Sequence, residues 1–302
     1  MAIGKLFHII HMTSDLDALE AWYDDVFSVR HGFMERNYIE VEQRDASLVV
    51  LGDTVIEPLA PAFRVDGWDA MPLGRFYQRF GAHWHSIAWY ADDLAEIWQR
   101  CTDNGVRVFG QGGRVADQPP TSGILVTHPK DTGAQLQFQP LRSTPLAERD
   151  PRLQPGWDPS WWVTNHPLGL RRLAYTTVLV RDLSRAKHVW VDVIGGVLLH
   201  ENFSPLTGTS NAYVQVGTET VVELATPTRD GTLAAADMAA HGEIHHAAAF
   251  RVVDLERAEQ YLTSKGIKVA DRDETTLVTD PATTQGAVFR WTTWPIPGDP
   301  QL

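Results

Sequence analysis

The sequence predicts an α+β protein assembled from four copies of one βαβββ module, and three observations predict it. The chain is written twice: Asp15 and Asp182, Tyr23 and Trp190, and Asp25-Val26-Phe27 and Asp192-Val193-Ile194 all recur at an offset of 167 residues. Glu57, in TVIEPLAP, returns as Glu223, in TVVELATP, 166 residues on. An offset shared across strand, helix and strand marks a duplicated structural unit. Each half then divides again, because a β-like run, an Asp and an amphipathic helix appear in that order four times. Finally, further β-like runs follow each helix, so that a unit reads as strand, helix and about three strands.

The first unit opens with LFHIIHMT and Asp15; Leu16, Leu19, Trp22, Tyr23 and Val26 share a helical face, and YIEVEQ, SLVVLG and TVIEPL follow. In the second, HWHSIAWYA and Asp93 precede a face of Leu94, Ile97, Trp98 and Cys101, with GILVTH and AQLQFQ as strands. The third runs RLAYTTVLV, Asp182, then Leu183, Ala186, Trp190 and Val193, with AYVQVG and TVVELA. The fourth runs IHHAAAFRVV, Asp254, then Leu255, Ala258, Tyr261 and Leu262, with TLVTD and AVFRWT. The recurring Asp reads as a helix N-cap whose carboxylate accepts free amides of the first turn, not as a metal ligand. Gly105 and Gly266, 161 residues apart, supply the left-handed residue that ends a helix. These units give an amino-terminal domain over residues 1–140, a Pro- and Trp-rich linker over 141–169 that packs on the body, and a carboxy-terminal domain over 170–302. Residues 60–80 form the corresponding connection inside the first half.

At 302 residues the chain can bury two cores of domain size. A net charge of −12, without a Lys/Arg cluster, argues against nucleic acid. Nothing approaches a membrane span, and the amino terminus reads as a first strand rather than a signal peptide, so a cytoplasmic protein is expected. The single cysteine, Cys101, sits on a helical core face and is expected to be an inert thiol. Eleven tryptophans leave room for an aromatic-lined cavity. No P-loop, GxGxxG or GxSxG motif is present.

A βαβββ unit used four times resembles the vicinal oxygen chelate superfamily, which includes glyoxalase I, methylmalonyl-CoA epimerase, extradiol dioxygenases and the fosfomycin and bleomycin resistance proteins. The resemblance covers nearly the whole chain and implies two glyoxalase-like half-barrel domains. It also implies one divalent metal (Zn, Ni, Co, Mn or Fe), held by the first and last strands of paired units and chelating two neighbouring substrate oxygens. Mapped onto this sequence, the positions are His8, seven residues before Asp15, then Glu57, His85 and Gln137. Counting back from Asp93 gives Ser86 instead of His85, and alternation on a strand makes the two face opposite ways. The carboxy-terminal half offers Tyr175, Glu223, Ala247 or His246, and Arg290, a cation where a ligand should be. One metal site is therefore expected, in the amino-terminal half, with the other half left as support, lid or oligomer surface; a homodimer is compatible with this.

Each of these residues has a bland reading beside the functional one. A lone His on an apolar strand is more often a hydrogen-bonded core residue. Glu57 in an apolar strand needs a cation, but Glu223 persists in the half assigned no metal, so a shared structural role competes. His83, on the same face as His85, together with Trp89 and Tyr90, is expected to line a substrate pocket; helix–sheet packing explains alternate members equally well.

The resemblance implies a glyoxalase- or epimerase-like lyase or isomerase acting on a small hydrophobic molecule with vicinal oxygens. The metal would be the Lewis acid, an enediolate-like intermediate would form, and Glu57 would move the proton. The four ligand types equal those of methylmalonyl-CoA epimerase, with Gln and Glu exchanged between units. An extradiol-type dioxygenase is the alternative, although Gln137 stands where it needs a carboxylate. A non-catalytic small-molecule binding protein of the resistance type is the third reading.

Overall fold

The computed structural model describes residues 2–120, 123–141 and 145–301. In the amino-terminal lobe eight strands are described: β1 (Ile3–Met12), β2 (His31–Ile39), β3 (Arg44–Leu51), β4 (Thr54–Pro61), β5 (His83–Ala91), β6 (Val108–Phe109), β7 (Leu125–Thr127) and β8 (Gln135–Pro140). They form one mixed sheet in the order β2-β3-β4-β1-β5-β8-β7-β6. The carboxy-terminal lobe repeats the plan with β9 (Leu170–Leu179), β10 (Val197–Ser204), β11 (Thr209–Val216), β12 (Thr220–Pro227), β13 (Ile244–Val252), β14 (Val269–Arg272), β15 (Thr276–Thr279) and β16 (Val288–Thr292). Its order is β10-β11-β12-β9-β13-β16-β15-β14. In both, the first strand of one module pairs antiparallel with the first strand of the next, and each lies parallel to its own module's last strand.

The four aspartates cap four helices, as their positions predict. Asp15, Asp93, Asp182 and Asp254 accept from the amides of Ala18, Glu96, Arg185 and Arg257. Gly105 and Gly266 follow their helices with φ of 71° and 75°, which a side chain would strain. The third helix departs from the pattern: Leu183–Lys187 is α-helical and His188–Val193 continues as a π-helix.

Three element boundaries differ from expectation. The strand assigned to YIEVEQ lies earlier, at β2, and Glu40–Glu42 makes a 3-10 turn. Strand β10 carries too little alternation to be read from sequence, and much of it is exposed. The connection over residues 60–80 contains a helix, Pro72–Phe80, started by a proline in its first turn and stopped at Gly81. Leu233–His241 is its counterpart in the second lobe.

The two lobes share one hydrophobic core. It holds the inward faces of all four capped helices, from Leu19, Tyr23 and Phe27 to Ala258 and Leu262, with strand residues of both sheets. Phe27 of the first helix reaches Phe250 and Trp291 in the second lobe, with ring centroids 6.1 and 5.8 Å apart. Trp190 meets Trp89 in the opposite sense. At the centre Trp84 and His245, equivalent residues 161 positions apart, stack at 5.7 Å, and the Trp84 indole donates to the Val288 carbonyl at 2.9 Å. His11 bridges the same seam, with Nδ1 2.8 Å from the Tyr23 hydroxyl and Nε2 3.0 Å from the Gln285 carbonyl. Cys101 is buried in this core, which pushes its thiol up to about 11, so it is inert at neutral pH.

The segment between the lobes packs on the body. Ala147, with Leu146 and Leu153, covers Phe7 and Tyr90. The Trp162 indole donates to the Phe27 carbonyl at 3.1 Å. Inside this segment Arg152 and Asp150 form a fully buried ion pair at 2.6 Å, and Tyr90 donates to Asp150 at 3.0 Å.

Because Trp84 fills the seam and makes its hydrogen bond across it, Trp84→Ala is expected to cost about 3–5 kcal/mol. Urea unfolding followed by far-UV circular dichroism measures this. A loss under about 1 kcal/mol would mean that the seam closes over the missing ring.

Candidate metal and substrate site

Strands β1, β3, β4, β5 and β8 present one face to a cavity of about 890 Å³ in the amino-terminal lobe. Ile10, Met34, Leu48, Leu59 and Phe76 supply much of its apolar wall. His8, Glu57, His85 and Gln137, the four expected ligands, all border it, and so do Arg44 and Glu42.

The strand register explains how they converge. Ile10 lies beside Glu57 on β4, and Ala88 lies beside Gln137 on β8. Across the β1–β5 pairing, His8 lies opposite Ala88. Ile9 faces Ile87 but His11 faces Trp84, so residues 85 and 86 together stand opposite Ile10. That extra residue is a β-bulge. It overturns the expectation that alternation forces a choice between His85 and Ser86. His85 borders the cavity, and Ser86 accepts from Gln137 Nε2 at 2.9 Å. Gln137 thereby uses its amide nitrogen on Ser86 and keeps its oxygen uncommitted to that contact.

Glu57 is gripped from one side. Arg44 Nη1 donates to Oε1 at 2.5 Å, and Glu42 holds Arg44 Nε at 2.5 Å. The other oxygen, Oε2, is 3.0 Å from His8 Nε2. Burial pushes the Glu57 carboxyl up, but Arg44 and then His8 outweigh it and hold it down to about 2. Burial lowers His85 to about 3, with Arg44 adding to the effect, so its imidazole is neutral. Among the described residues, Nδ1 of His8 and Nδ1 of His85 are buried without a hydrogen-bond partner, and Glu57 Oε2 and His8 Nε2 have none besides each other. Orphaned donors and acceptors of this kind are costly, and here they share one cavity.

The equivalent position in the other lobe is closed. Both oxygens of Glu223 are satisfied: Tyr213 donates to Oε1 at 2.7 Å, and Thr177 and Arg290 donate to Oε2 at 2.6 Å each. Tyr175, Tyr213 and Ile296 pack together beside them. Glu57 and Glu223 thus occupy one structural position but meet different partners.

The donor set of the amino-terminal lobe suits a divalent ion: two imidazoles, one ionised carboxylate oxygen and an amide oxygen. Arg44 on Oε1 leaves Oε2 for a single bond to metal, and an anchored carboxylate is what an outer-sphere partner provides. Among the described residues, however, His8, Glu57 and His85 do not bring three ligand atoms within 4.8 Å of one another, whereas His83, Asp237 and His241 do.

The residues expected to line a substrate pocket are placed elsewhere. Trp89 faces the helices, where its indole donates to Thr220 at 3.0 Å and its ring stacks on Phe138. Tyr90 is turned to Asp150 and Phe7 under the linker. His83 reaches Asp237 of the other lobe. Strand alternation accounts for Trp89, and the linker, invisible to strand counting, accounts for Tyr90. Sequence reasoning missed Arg44, which lies at the start of a strand in an ordinary charged turn, and the helix Pro72–Phe80 that covers the cavity mouth. Arg75 and Arg79 of that helix, with Lys130 and Arg181, border the cavity. Among the described residues none of these four is in an ion pair.

Residues 176–280 match the family model described as the Glyoxalase/Bleomycin resistance protein/Dioxygenase superfamily. A mutant 4-hydroxymandelate synthase from Streptomyces coelicolor aligns over 96% of this chain and 92% of its own, with a TM-score of 0.68 and 14% identity. Methylmalonyl-CoA epimerase from Mycobacterium tuberculosis aligns over 41% of this chain and 87% of its own, with a TM-score of 0.38 and 22% identity. No curated protein matches the chain. The carboxy-terminal lobe thus matches that superfamily's model, and the chain as a whole shares the fold of the 4-hydroxymandelate synthase, two such lobes in tandem. Among the described residues no helix is long and apolar enough to cross a membrane.

Free, the Glu57 carboxyl would titrate at its ordinary value of 4.5; folded, it is held to about 2. Its pairing therefore stabilises the fold fully above pH 4.5 and is lost as pH falls towards 2. Arg44→Gln is expected to cost about 3–5 kcal/mol near neutral pH, because it breaks a buried pair. The gap between wild type and variant in urea unfolding should shrink from pH 4.5 downwards. A gap that stays constant over that window would show that Arg44 does not hold Glu57.

Proposed function

We propose that this protein is a metal-dependent enzyme of the glyoxalase/epimerase type, with its site in the amino-terminal lobe and a small substrate carrying vicinal oxygens. The observation that carries this reading is the set of buried ligand atoms of His8, His85 and Glu57 in one cavity that find, among the described residues, no hydrogen-bond partner beyond one another, against a fully satisfied Glu223 at the equivalent place. His8, His85, Glu57 and Gln137 would hold the ion. When bound, it would act as a Lewis acid towards a substrate carbonyl.

The chain's own residues bind and orient. The apolar wall of Ile10, Leu48, Leu59 and Phe76 takes the hydrocarbon part of a substrate and excludes water from it. Arg44 keeps Glu57 ionised, which suits it as a ligand, and by the resemblance Glu57 would also be the group that moves the substrate proton. The four basic side chains at the mouth stand against Glu243 there, in a chain of net charge −12. Their local field favours a substrate with an anionic group left at the entrance while its apolar part enters. The dioxygenase reading gains nothing from the site, since an amide, Gln137, occupies the position where it needs a carboxylate.

Metal analysis of purified protein tests the proposal. His8→Ala and Glu57→Gln are each expected to lower metal content by one equivalent per chain, and Glu223→Gln to leave it unchanged. Equal metal in all three would remove the cavity as a metal site. Incubation with α-oxo and α-acyl carboxylates in deuterium oxide should show metal-dependent exchange at the carbon next to the carbonyl. The apparent affinity should weaken with added salt as the basic mouth is screened. Oxygen uptake with catechols, in place of exchange, would favour the dioxygenase.

A further inference from the structure

The seam between the lobes carries another group of ligand side chains. Asp237 and His241 lie one turn apart on the helix Leu233–His241, and so project from the same face. His83, the first residue of β5, meets them from the other lobe. The ligand atoms of His83, Asp237 and His241 all lie within 4.8 Å of one another. His241 Nδ1 is 2.5 Å from Asp237 Oδ1, and His246 Nδ1 is 2.5 Å from Oδ2. His83 Nε2 is 3.3 Å from both oxygens. The side chains of His83 and Asp237 are only 8% and 10% exposed, so water does little to screen them.

His83 differs from the other two histidines in what it can donate. A neutral imidazole has one N–H and one lone pair. His246 can donate from Nδ1 to the carboxylate, and His241 Nδ1 can do so only while no ion is bound, because its lone pair must face an ion that it ligates. The Nδ1 of His83 is 2.9 Å from the Trp84 carbonyl, which can only accept, so Nδ1 carries the hydrogen. The lone pair of Nε2 then points at the carboxylate of Asp237. Two lone-pair atoms facing each other in a buried site call for a cation between them. The 3.3 Å separation already suits a nitrogen and an oxygen that share a tetrahedral ion with bonds of about 2.0–2.1 Å, whereas His241 Nδ1, 2.5 Å from Oδ1, must give up its hydrogen bond and withdraw by about 0.8 Å to join them.

We propose that His83 Nε2, Asp237 Oδ1 and His241 Nδ1 form a second divalent-metal site, suited to Zn(II) or Co(II), that ties the two lobes together. His246 fixes the remaining carboxylate oxygen of Asp237, as an outer-sphere partner does for a ligating carboxylate. His241 also borders the amino-terminal cavity, which gives an ion a route in. The ligand set is separate from His8, Glu57, His85 and Gln137, so the two sites stand or fall independently.

Titration of the full chain with Co(II), followed by visible absorption and by metal content after gel filtration, tests this. Wild type is expected to bind two equivalents; His241→Ala, Asp237→Asn and His8→Ala one each; and the His8→Ala, His241→Ala pair none. Asp237→Asn keeps the shape of the side chain, and His241 is a partly exposed helix-end residue, so one variant checks the folding of the other. Uptake by His241→Ala and Asp237→Asn equal to that of wild type overturns the seam site. A single equivalent in wild type that His241→Ala abolishes and His8→Ala spares supports the seam site and overturns the cavity reading instead.

Discussion

The amino-terminal site depends on one antiparallel pairing, β1 with β5. Each strand belongs to a different module, and each lies parallel to its own module's last strand. The pairing therefore sets four strands side by side in the order β4-β1-β5-β8, and a single face of them carries His8, Glu57, His85 and Gln137. A slip of one residue would send these side chains into the helices and the helix-facing Leu6, Ile9 and Ile87 into the cavity. Burial on both faces makes such a slip expensive, which is why four polar residues can be held on an otherwise apolar sheet.

The duplicated lobe shows what that arrangement becomes without a cavity. Pairing, strand order and the position of the glutamate are all retained. What differs is the neighbours: Tyr213, Thr177 and Arg290 converge on Glu223, so charge and hydrogen bonds close within the protein. Around Glu57, Arg44 satisfies one oxygen and, among the described residues, a nitrogen of His8 faces the other. One scaffold thus supports a self-contained core in one lobe and an incompletely satisfied site in the other.

The seam makes the lobes a single body. A common core runs through the helices of both, and Trp84 stacks on its own counterpart position, His245. Polar groups are used there as well: His11 links Tyr23 to the Gln285 carbonyl, and Lys5 joins Asp53 to Glu219. The histidine and aspartate group around Asp237 lies on this boundary, where either lobe alone would have only part of it.

Much of the architecture was legible because it depends on local chemistry repeated four times. A capping Asp, an apolar stripe at helical spacing and a glycine stop are properties of a few neighbouring residues, and all four caps form as their positions require. That His8, Glu57, His85 and Gln137, the residues proposed to hold a metal, share one cavity could be read by counting from those caps and strands. The bulge at His85 and Ser86 could not, because it arises from the match between two strands rather than from either one. Arg44 could not be foreseen as the partner of Glu57, since β3 meets β4 only once the hairpin folds. Trp89 and Tyr90 were lost to the helix layer and the linker for a similar reason. His83 comes from the other lobe than Asp237 and His241, and no spacing relates it to them. By itself, then, the sequence determined the modules, their caps and the residues that each strand could offer. The tertiary structure decided which of them meet, because contact between distant segments is set by strand register and lobe packing, neither of which any short stretch of chain contains.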